Sequence, residues 1–391
     1  MSKNWISLYI LHIINDGYRA CFFILLPFIA KDLQLPFSQV GILGASIGIV
    51  TMLIAIPGGF LAGRVGGFVI LLYSLLTYSI SLIVMAYAPT FWLLIPVFLL
   101  AGIGFGIFHT VGFSMVAKLS HEKHIGTQLA NFTAVGDIGR VGIPVVVLFF
   151  IAMLGWKLVV IGMAVIGIII FVTLHLTCTS LLKIKSGEEM AEHPWLWLKN
   201  AIELFKDKGF LIVTLANVLD QCAYNSMNIF LPFLLLARGA TPATLGIFTG
   251  AFFAGSFIGK SVLGRMVDII GYKKVFFISE LLMAVSIVLL TLSPNLWLLF
   301  IFSVLVGIFS KGTSPVILTM VSKTVQNKHH IKGFAINETV AGVTITIAPL
   351  IAGVWADSYG LVSTFYLSAG FALLAIVPVL FYSTLRLKKS S

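Results

Sequence analysis

Long apolar stretches separated by short polar segments follow one another along almost the whole chain. Each stretch is roughly 20 residues long or longer, the length that an α-helix needs to cross the hydrocarbon core of a membrane. The pattern therefore predicts an all-α polytopic membrane protein with twelve transmembrane helices. The predicted spans are approximately 5–30, 38–62, 66–87, 90–117, 125–152, 157–181, 210–235, 241–263, 273–292, 296–319, 331–353 and 360–383.

The second half of the chain repeats the first at a nearly constant offset. Met-Val-Ala-Lys118 returns as Met-Val-Ser-Lys323, 205 positions later, and the segment that begins at Asn131 returns, one residue further displaced, at Asn337. Such an offset predicts a duplicated structural unit. Duplicated halves in an apolar chain are typical of secondary transporters, whose substrate binds at the interface between the repeats. Pro27, Gly41, Gly59, Gly66, Gly102 and Gly155 match Pro232, Gly246, Gly264, Gly271, Gly307 and Gly360 at the same offset.

Composition and charge support a membrane location and predict an orientation. Charged residues make up only 10% of the chain, against about 25% in soluble proteins. Of the 25 Lys and Arg residues, 18 lie in the N-terminus, in alternate loops, in the central linker and in the tail. These segments, and with them both termini, are predicted to be cytoplasmic. The net charge of +11 then reflects topology and contact with anionic lipid headgroups, and it predicts no nucleic-acid partner.

The topology of the loops predicts how the two halves are arranged. The loop at Arg64 and its repeat mate after the eighth span are both predicted to be cytoplasmic, so each half holds six spans and the halves share one orientation. This predicts an N-terminal six-helix bundle over 1–182, a cytoplasmic linker over 183–209 and a C-terminal six-helix bundle over 210–391. Residues 193–205 alternate apolar and polar residues at helical spacing, which predicts an amphipathic helix along the inner membrane face.

Two turns between spans share a glycine-rich pattern with basic residues. The second half has Gly264-Arg-Met-Val-Asp268-Ile-Ile-Gly271-Tyr-Lys273-Lys274, and the first half has Gly59-Phe-Leu-Ala-Gly63-Arg64-Val-Gly66. Together with twelve spans in two parallel halves, these turns resemble those of the major facilitator superfamily, although Gly63 stands where the family has Asp. The resemblance implies the major facilitator fold and a cytoplasmic gate of paired charges; a basic turn that only sets topology is the alternative. The predicted gate residues are Arg64, Asp268, Lys273, Lys274, Glu280 and Glu338.

A narrower resemblance rests on segments of the first half. These are His12-Ile-Ile-Asn15-Asp16 in the first span, Phe108-His109 in the fourth, and the glycine-rich fifth span that ends in Gly142-Ile-Pro144. They resemble the fosmidomycin-resistance branch of bacterial drug exporters, with Thr110 where that branch tends to have Pro. The resemblance implies export across the bacterial inner membrane and leaves the substrate open.

Charged residues inside the predicted spans are costly in a membrane and therefore mark functional positions. Asp16 lies roughly 16 Å into its span at 1.5 Å per residue, close to the membrane midplane. Asp137, Asp220 and Lys311 lie at similar depths, on spans that the family resemblance implies line a central cavity. Asp16 and Asp220 are predicted to carry a coupling proton, because burial makes a carboxylate bind a proton more readily. The residues predicted to bind substrate are Arg19, His109, Asn131, Asp137, Arg140, Asn217, Tyr224, Lys311 and Asn337.

Structural roles stay open for several of these charges. Asp16 with Arg19, and Asp137 with Arg140, have helical spacing and could form pairs that only neutralise charge. His109 could be a packing histidine, and Lys311 could be a structural counter-ion. The three cysteines show no pairing or metal-binding pattern.

The sequence as a whole predicts a monomeric transporter that moves a small anionic or zwitterionic solute or drug by alternating access, energised by protons. Export by antiport is expected, and uptake by symport of an organic anion, metabolite or siderophore is the alternative. The chain has no phosphate-binding loop and no nucleophile, base or metal cluster at one face. A membrane enzyme is therefore not expected, nor is a cofactor, a metal or a channel.

Overall fold

The computed structural model describes residues 3–120, 125–182, 203–325 and 330–387; a few helical side chains, including that of Glu338, are not among the described residues. Within these ranges the chain forms helices and no strands. Twelve helices are long, and they are α1 (Lys3–Leu33), α2 (Phe37–Val65), α3 (Gly67–Tyr87), α4 (Phe91–Leu119), α5 (Ile125–Leu154), α6 (Trp156–Thr177), α7 (Lys208–Ala237), α8 (Pro242–Ile270), α9 (Tyr272–Leu292), α10 (Leu296–Thr324), α11 (His330–Tyr359) and α12 (Leu361–Leu387).

The long helices coincide with the predicted spans, so the all-α polytopic fold class is confirmed. Several helices extend beyond the apolar stretch; α8, for example, continues to Ile270, because backbone hydrogen bonding does not stop where the hydrocarbon core ends. Ten of the described helices are long and apolar enough to cross a membrane, and α7 and α11 are not among them. Their apolar stretches are interrupted by polar side chains such as Asn217, Asp220 and Asn337, which are buried within the protein.

The linker is only partly described. The predicted amphipathic helix at 193–205 lies outside the described residues, except for its last positions, which belong to a 3-10 turn at Glu203–Lys206. Asp207 then caps the start of α7, because its carboxylate accepts hydrogen bonds from the backbone N–H groups of Gly209 and Phe210.

The chain forms two compact units. The N-terminal unit comprises Met1–Glu189 and Thr241–Gly250, and the C-terminal unit comprises Met190–Ala240 and Ala251–Ser391. In the N-terminal unit α1 packs on α5, and α3 packs on α4 and α6. In the C-terminal unit the corresponding helices pair in the same way, α7 with α11 and α9 with α10 and α12. These helix pairs are therefore repeated in the two units, whereas α7 also packs extensively on α12 and the corresponding α1 and α6 contact each other little.

Glycines at the repeat offset allow two of these helix pairs to approach closely. A Cβ atom on Gly102 of α4 would lie 3.0 Å from the carbonyl oxygen of Ile47 on α2. In the other unit, a Cβ atom on Gly307 of α10 would collide with the carbonyl oxygen of Phe252 on α8. Both members of the second pair stand 205 positions after those of the first. The repeated glycines thus mark the same helix contact in each unit, as small residues do between membrane helices.

The glycine-rich turns are also repeated in their backbone conformation. Gly66 has φ 115° between α2 and α3, and Gly271 has φ 86° between α8 and α9. Side chains other than glycine rarely adopt such positive φ values. The pattern found in the sequence therefore corresponds to two sharp helix junctions.

Candidate functional site

Asp16 is the centre of a buried charged cluster in the N-terminal unit. Its side chain is 1% exposed, and its Oδ2 atom lies 2.7 Å from Nη2 of Arg140 on α5. Its Oδ1 atom lies 3.2 Å from Nε2 of His109 on α4 and accepts a hydrogen bond from Nδ2 of Asn15 at 3.0 Å. Arg140 also donates from Nη1 to Oδ1 of Asp137 at 2.8 Å. One guanidinium group therefore joins the acidic residues of α1 and α5.

His12, one helical turn before Asp16, completes this cluster. Its Nδ1 atom lies 2.8 Å from the carbonyl oxygen of Phe132. Its Nε2 atom lies 3.3 Å from Oδ2 of Asp16, close enough for an ion pair although not aligned for a hydrogen bond. A carbonyl and a carboxylate are both hydrogen-bond acceptors. The His12 ring therefore lies between two acceptors beside Asp16.

The cluster depends on a close approach of α1 and α5. A Cβ atom on Gly136 would lie 2.6 Å from both Oδ2 of Asp16 and Nε2 of His12. The ring of Phe132 stacks on the His12 ring, with 4.0 Å between the centroids. Even an alanine at position 136 would displace one of these groups, so the glycine-rich fifth span has a specific role in forming the cluster.

The structure brings together Asp16, His109, Asp137 and Arg140, which sequence analysis assigned to proton coupling or substrate binding. The guanidinium group that contacts Asp16 comes from Arg140, four helices along the chain, whereas the helical spacing indicated Arg19. Arg19 itself is half-buried on α1, and Asn131 is exposed on α5. His12 was quoted for the family resemblance but given no role; its spacing of four residues from Asp16 was the available signal.

The atoms of this cluster could in principle hold a metal ion. His12, Asp16 and His109 each offer one ligand atom, and these atoms lie within 4.8 Å of one another. However, the Asp16 oxygen that faces His12 is the same oxygen that Arg140 contacts at 2.7 Å. A guanidinium group already supplies the positive charge at this position, so we assign no metal to it.

Asp220 is the centre of a second cluster, in the C-terminal unit. It is completely buried on α7. Its Oδ1 atom accepts a hydrogen bond from Oγ1 of Thr313 at 2.9 Å, and its Oδ2 atom accepts one from Nε2 of Gln221 at 2.9 Å. Glu280 of α9 is also completely buried, and its carboxyl group lies close enough to that of Asp220 for the two to interact. Two carboxyl groups are therefore neighbours inside the unit.

Lys311 of α10 lies beside this second cluster. Its Nζ atom lies 3.6 Å from the centroid of the Tyr224 ring and donates to Oε1 of Gln221 at 3.4 Å. The face of an aromatic ring attracts an ammonium group through its quadrupole. Gln221 therefore connects Lys311 to Asp220, since its amide accepts from one and donates to the other.

The two clusters stand at equivalent positions of the repeat but differ in charge. Asn15 and Asp16 align with Asp220 and Gln221 at the offset of 205, so each unit has an adjacent amide and carboxylate in reversed order. In each unit the amide donates a hydrogen bond to the carboxylate. Asp16 is surrounded by a guanidinium and two imidazoles, whereas Asp220 faces another carboxyl group.

Two further residues that were predicted to bind substrate contact each other. Nδ2 of Asn217 donates to Oδ1 of Asn337 at 2.9 Å, which joins α7 to α11. Asn337 is buried, whereas its repeat mate Asn131 is exposed. The structure therefore gives these repeat mates different surroundings.

The predicted gate residues are distributed over two environments. Arg64, Asp268 and Lys274 are exposed and Lys273 is half-buried, near the junctions that follow α2 and α8. Glu280 was predicted to belong with them, but its carboxyl group contacts Asp220 in the interior of the C-terminal unit. The side chain of Glu338 lies outside the described residues.

The chain was compared with known proteins. The profile of the Major Facilitator Superfamily matches residues 8–216 and 213–391. A tetracycline resistance protein of class H from Pasteurella multocida is 25% identical over 179 residues, which are 45% of this chain and 44% of that protein, so the match spans less than half of the relative. A Haemophilus influenzae protein, named provisionally as a metabolite transport protein, is 25% identical over 304 residues. These residues are 74% of this chain and 72% of that protein.

Solved structures share the fold. The crystal structure of the nucleoside transporter NupG superimposes on this chain with a TM-score of 0.80 at 16% sequence identity. The superposition covers 97% of this chain and 99% of the NupG chain. At this level of identity the likeness concerns the arrangement of the helices alone.

Proposed function

The chain belongs to the Major Facilitator Superfamily, and we propose that it is a secondary active transporter that moves a small anionic or zwitterionic solute or drug by alternating access. The observation that carries the proposal is the Asp16 cluster. A buried carboxylate with a guanidinium and two imidazoles as partners is expensive inside a membrane helix bundle, and such groups usually serve transport of an ion or a substrate.

Proton coupling is supported by the chemistry of both clusters. His12 lies between two acceptors beside Asp16, and Asp220 contacts a second carboxyl group. Each arrangement is satisfied by binding a proton, and neither requires another ion. We therefore assign coupling to Asp16 and Asp220, with protons as the coupling ion.

The charge of the substrate follows from the basic residues near these clusters. Arg140 is 30% exposed although it contacts two carboxylates, and Lys311 is half-buried against an aromatic ring. A guanidinium or ammonium group that retains some exposure can pair with a negative group on a ligand. An anionic or zwitterionic substrate is the class that uses these charges.

Export by antiport is our first assignment for the direction of transport. It is supported by the resemblance of the first half to bacterial drug exporters and by the tetracycline resistance protein among the relatives. Uptake by symport is the second candidate, and the observation that favours it is the relative named for metabolite transport, whose match covers 72% of its length.

Transport by purified protein tests this function. A thermal-shift screen against metabolites, antibiotics and siderophores should give a ligand that raises the unfolding temperature, because binding to the native state stabilises it. In proteoliposomes, movement of that ligand should saturate and should accelerate when a pH gradient is imposed. Collapse of the gradient with a protonophore is the control. Saturable transport that ignores the gradient would reject proton coupling, and transport without saturation would indicate a channel.

The orientation in the bacterial inner membrane is also a proposal, supported by the distribution of Lys and Arg. Single cysteines in place of the exposed residues Arg64 and Lys274 should react with an impermeant maleimide only from the cytoplasmic side, and a cysteine in place of the exposed Lys31 only from the outside. The three native cysteines are buried, so we expect them to contribute little background labelling. Labelling of positions 64 and 274 from opposite sides would contradict two parallel halves with cytoplasmic termini.

A further inference from the structure

We propose that Asp220 and Glu280 form a carboxyl pair that holds a single proton, with the proton on Glu280, and that this pair is the proton-binding site of the C-terminal unit. The role of the pair in transport rests on the proposed proton coupling. The shared proton itself does not, because it follows from the surroundings of the two side chains.

Burial makes two negative charges at this place unfavourable. Both side chains are completely buried, and their carboxyl groups lie close enough together to interact. Two ionised carboxylates in such a place would repel each other and would both lack hydration. Carboxyl groups that share a site therefore ionise one at a time, and a single retained proton removes most of the repulsion.

The distribution of hydrogen-bond donors around the two carboxyl groups indicates where the proton lies. Thr313 and Gln221 each donate to one oxygen of Asp220. Neither oxygen of Glu280 accepts a hydrogen bond from a donor among the described residues. Donors stabilise the ionised form, so Asp220 is the carboxylate. Glu280 is the neutral acid, and its hydroxyl group donates to Asp220.

The other charged and titratable groups around the pair can balance only one negative charge. Lys311 faces it from α10, and Cys222 faces it from α7 itself. On α11 the neighbouring described side chain is the neutral Asn337, and Glu338 lies outside the described side chains. α12 contains no Asp, Glu, His or Lys between Leu361 and Phe381. One ammonium group can balance one carboxylate, so a second negative charge would be uncompensated.

Loss of this proton would therefore change the balance of charge inside the unit. Release leaves two carboxylates beside Lys311, whose ammonium group now rests on Tyr224 and Gln221. Uptake of the proton restores one carboxylate and one ammonium group. A site whose charge changes by one unit in this way can bias the unit between two states.

Infrared spectroscopy of the purified full-length protein tests the shared proton directly. In an alkyl glycoside detergent, which has no carbonyl group, the wild-type protein at neutral pH should show a carboxylic acid C=O stretching band that is lost in Glu280→Gln. The amide of the variant would donate to Asp220, which stays ionised. In Asp220→Asn the band should persist but shift, because the acid then donates to an amide oxygen. The matched control is Glu203→Gln, an acid with a 52% exposed side chain, which should leave the band unchanged.

The outcomes separate this inference from the proposed function. A spectrum that is identical in the wild type and Glu280→Gln, with Asp220→Asn also unchanged, would overturn the shared proton even if transport is driven by a pH gradient. A band that disappears in Glu280→Gln supports the shared proton, whatever the result of the transport assay. If transport is then insensitive to the pH gradient, only the proposed proton coupling is rejected. Should Glu280→Gln not fold, the shift expected in Asp220→Asn decides the question.

Discussion

Replacement of Asp16 by asparagine should reduce gradient-driven transport to the background of empty vesicles, while the protein still folds and binds its ligand. The reason is that Asp16 is the acceptor at the centre of the N-terminal cluster, with Arg140, His109 and His12 directed at it. An amide of the same shape keeps the packing but removes the negative charge and the proton-binding carboxylate from the centre of the cluster. Transport in proteoliposomes with and without a pH gradient measures the effect.

The effect on stability should be smaller than the effect on transport. Removing one partner of a buried ion pair typically destabilises a protein by about 3–5 kcal/mol. Asp16→Asn should fall below this range, because Asp137 keeps the guanidinium group of Arg140 paired. The matched control on the same helix is Asp32→Asn, whose side chain is 43% exposed and pairs with Lys157 at 3.8 Å. That variant should transport normally.

A triple variant, Asp16→Asn with Asp137→Asn and Arg140→Gln, separates coupling from charge neutralisation, because Arg140 pairs with both carboxylates. If Asp16 serves only to neutralise Arg140, removing all three charges leaves none of them unpaired and should restore driven transport. If Asp16 takes part in coupling, the triple variant should fold but stay inactive. Restored transport would reject the coupling role of Asp16 and leave it to Asp220 and Glu280.

Replacement of Lys311 by glutamine should weaken binding of an anionic ligand at least about tenfold, or about 1.4 kcal/mol. The Lys311 ammonium group lies over the Tyr224 ring and donates to the Gln221 amide, and it remains half-buried rather than enclosed, so its positive charge can attract a negative group of a ligand. Lys311→Arg should retain part of the affinity, since charge survives while geometry changes. Titration calorimetry on the purified protein measures both.

A lysine at the end of the same helix provides the control. Lys323→Gln removes an equal charge from an exposed position of α10 and should leave the affinity unchanged. Normal binding by Lys311→Gln, with only a lower unfolding temperature, would identify Lys311 as a structural counter-ion. A neutral or cationic substrate would then fit the two acidic clusters better than an anion.

The pH dependence of ligand binding to the wild-type protein bears on the direction of transport. A proton and a substrate that bind together favour symport, whereas a proton and a substrate that exclude each other favour antiport. Affinity that rises as the pH falls would therefore support uptake, and affinity that falls with the pH would support our first assignment of export.

The sequence was sufficient to identify the repeat and much of its packing. Gly102 and Gly307 were matched by offset alone, and in the structure they make the same close helix contact in each unit. The same holds for Gly66 and Gly271, which both adopt positive φ at helix junctions. Glycines at such positions are irreplaceable for reasons of space or backbone conformation. Their spacing is therefore the same in both halves and can be recognised from the sequence alone.

The partners of the intramembrane charges were only partly predictable. The spacing of three residues correctly indicated the pair of Asp137 and Arg140, but the same rule indicated Arg19 for Asp16, where the structure has Arg140. Spacing along one helix cannot include a neighbour that approaches from another helix. The contact exists because Gly136 lets α5 come close enough to α1.

The sequence by itself determined the twelve long helices, the duplication and the identity of the charges placed inside the membrane. These features follow from local apolar content, because lipid requires each spanning segment to satisfy its own backbone hydrogen bonds. Only the tertiary structure decided which charges meet. Glu280 was predicted to belong to the cytoplasmic gate, yet its buried carboxyl group lies near that of Asp220 on α7. Such contacts depend on the rotation and separation of several helices at once. These are determined by side-chain packing between helices, and the hydropathy pattern contains no information about them.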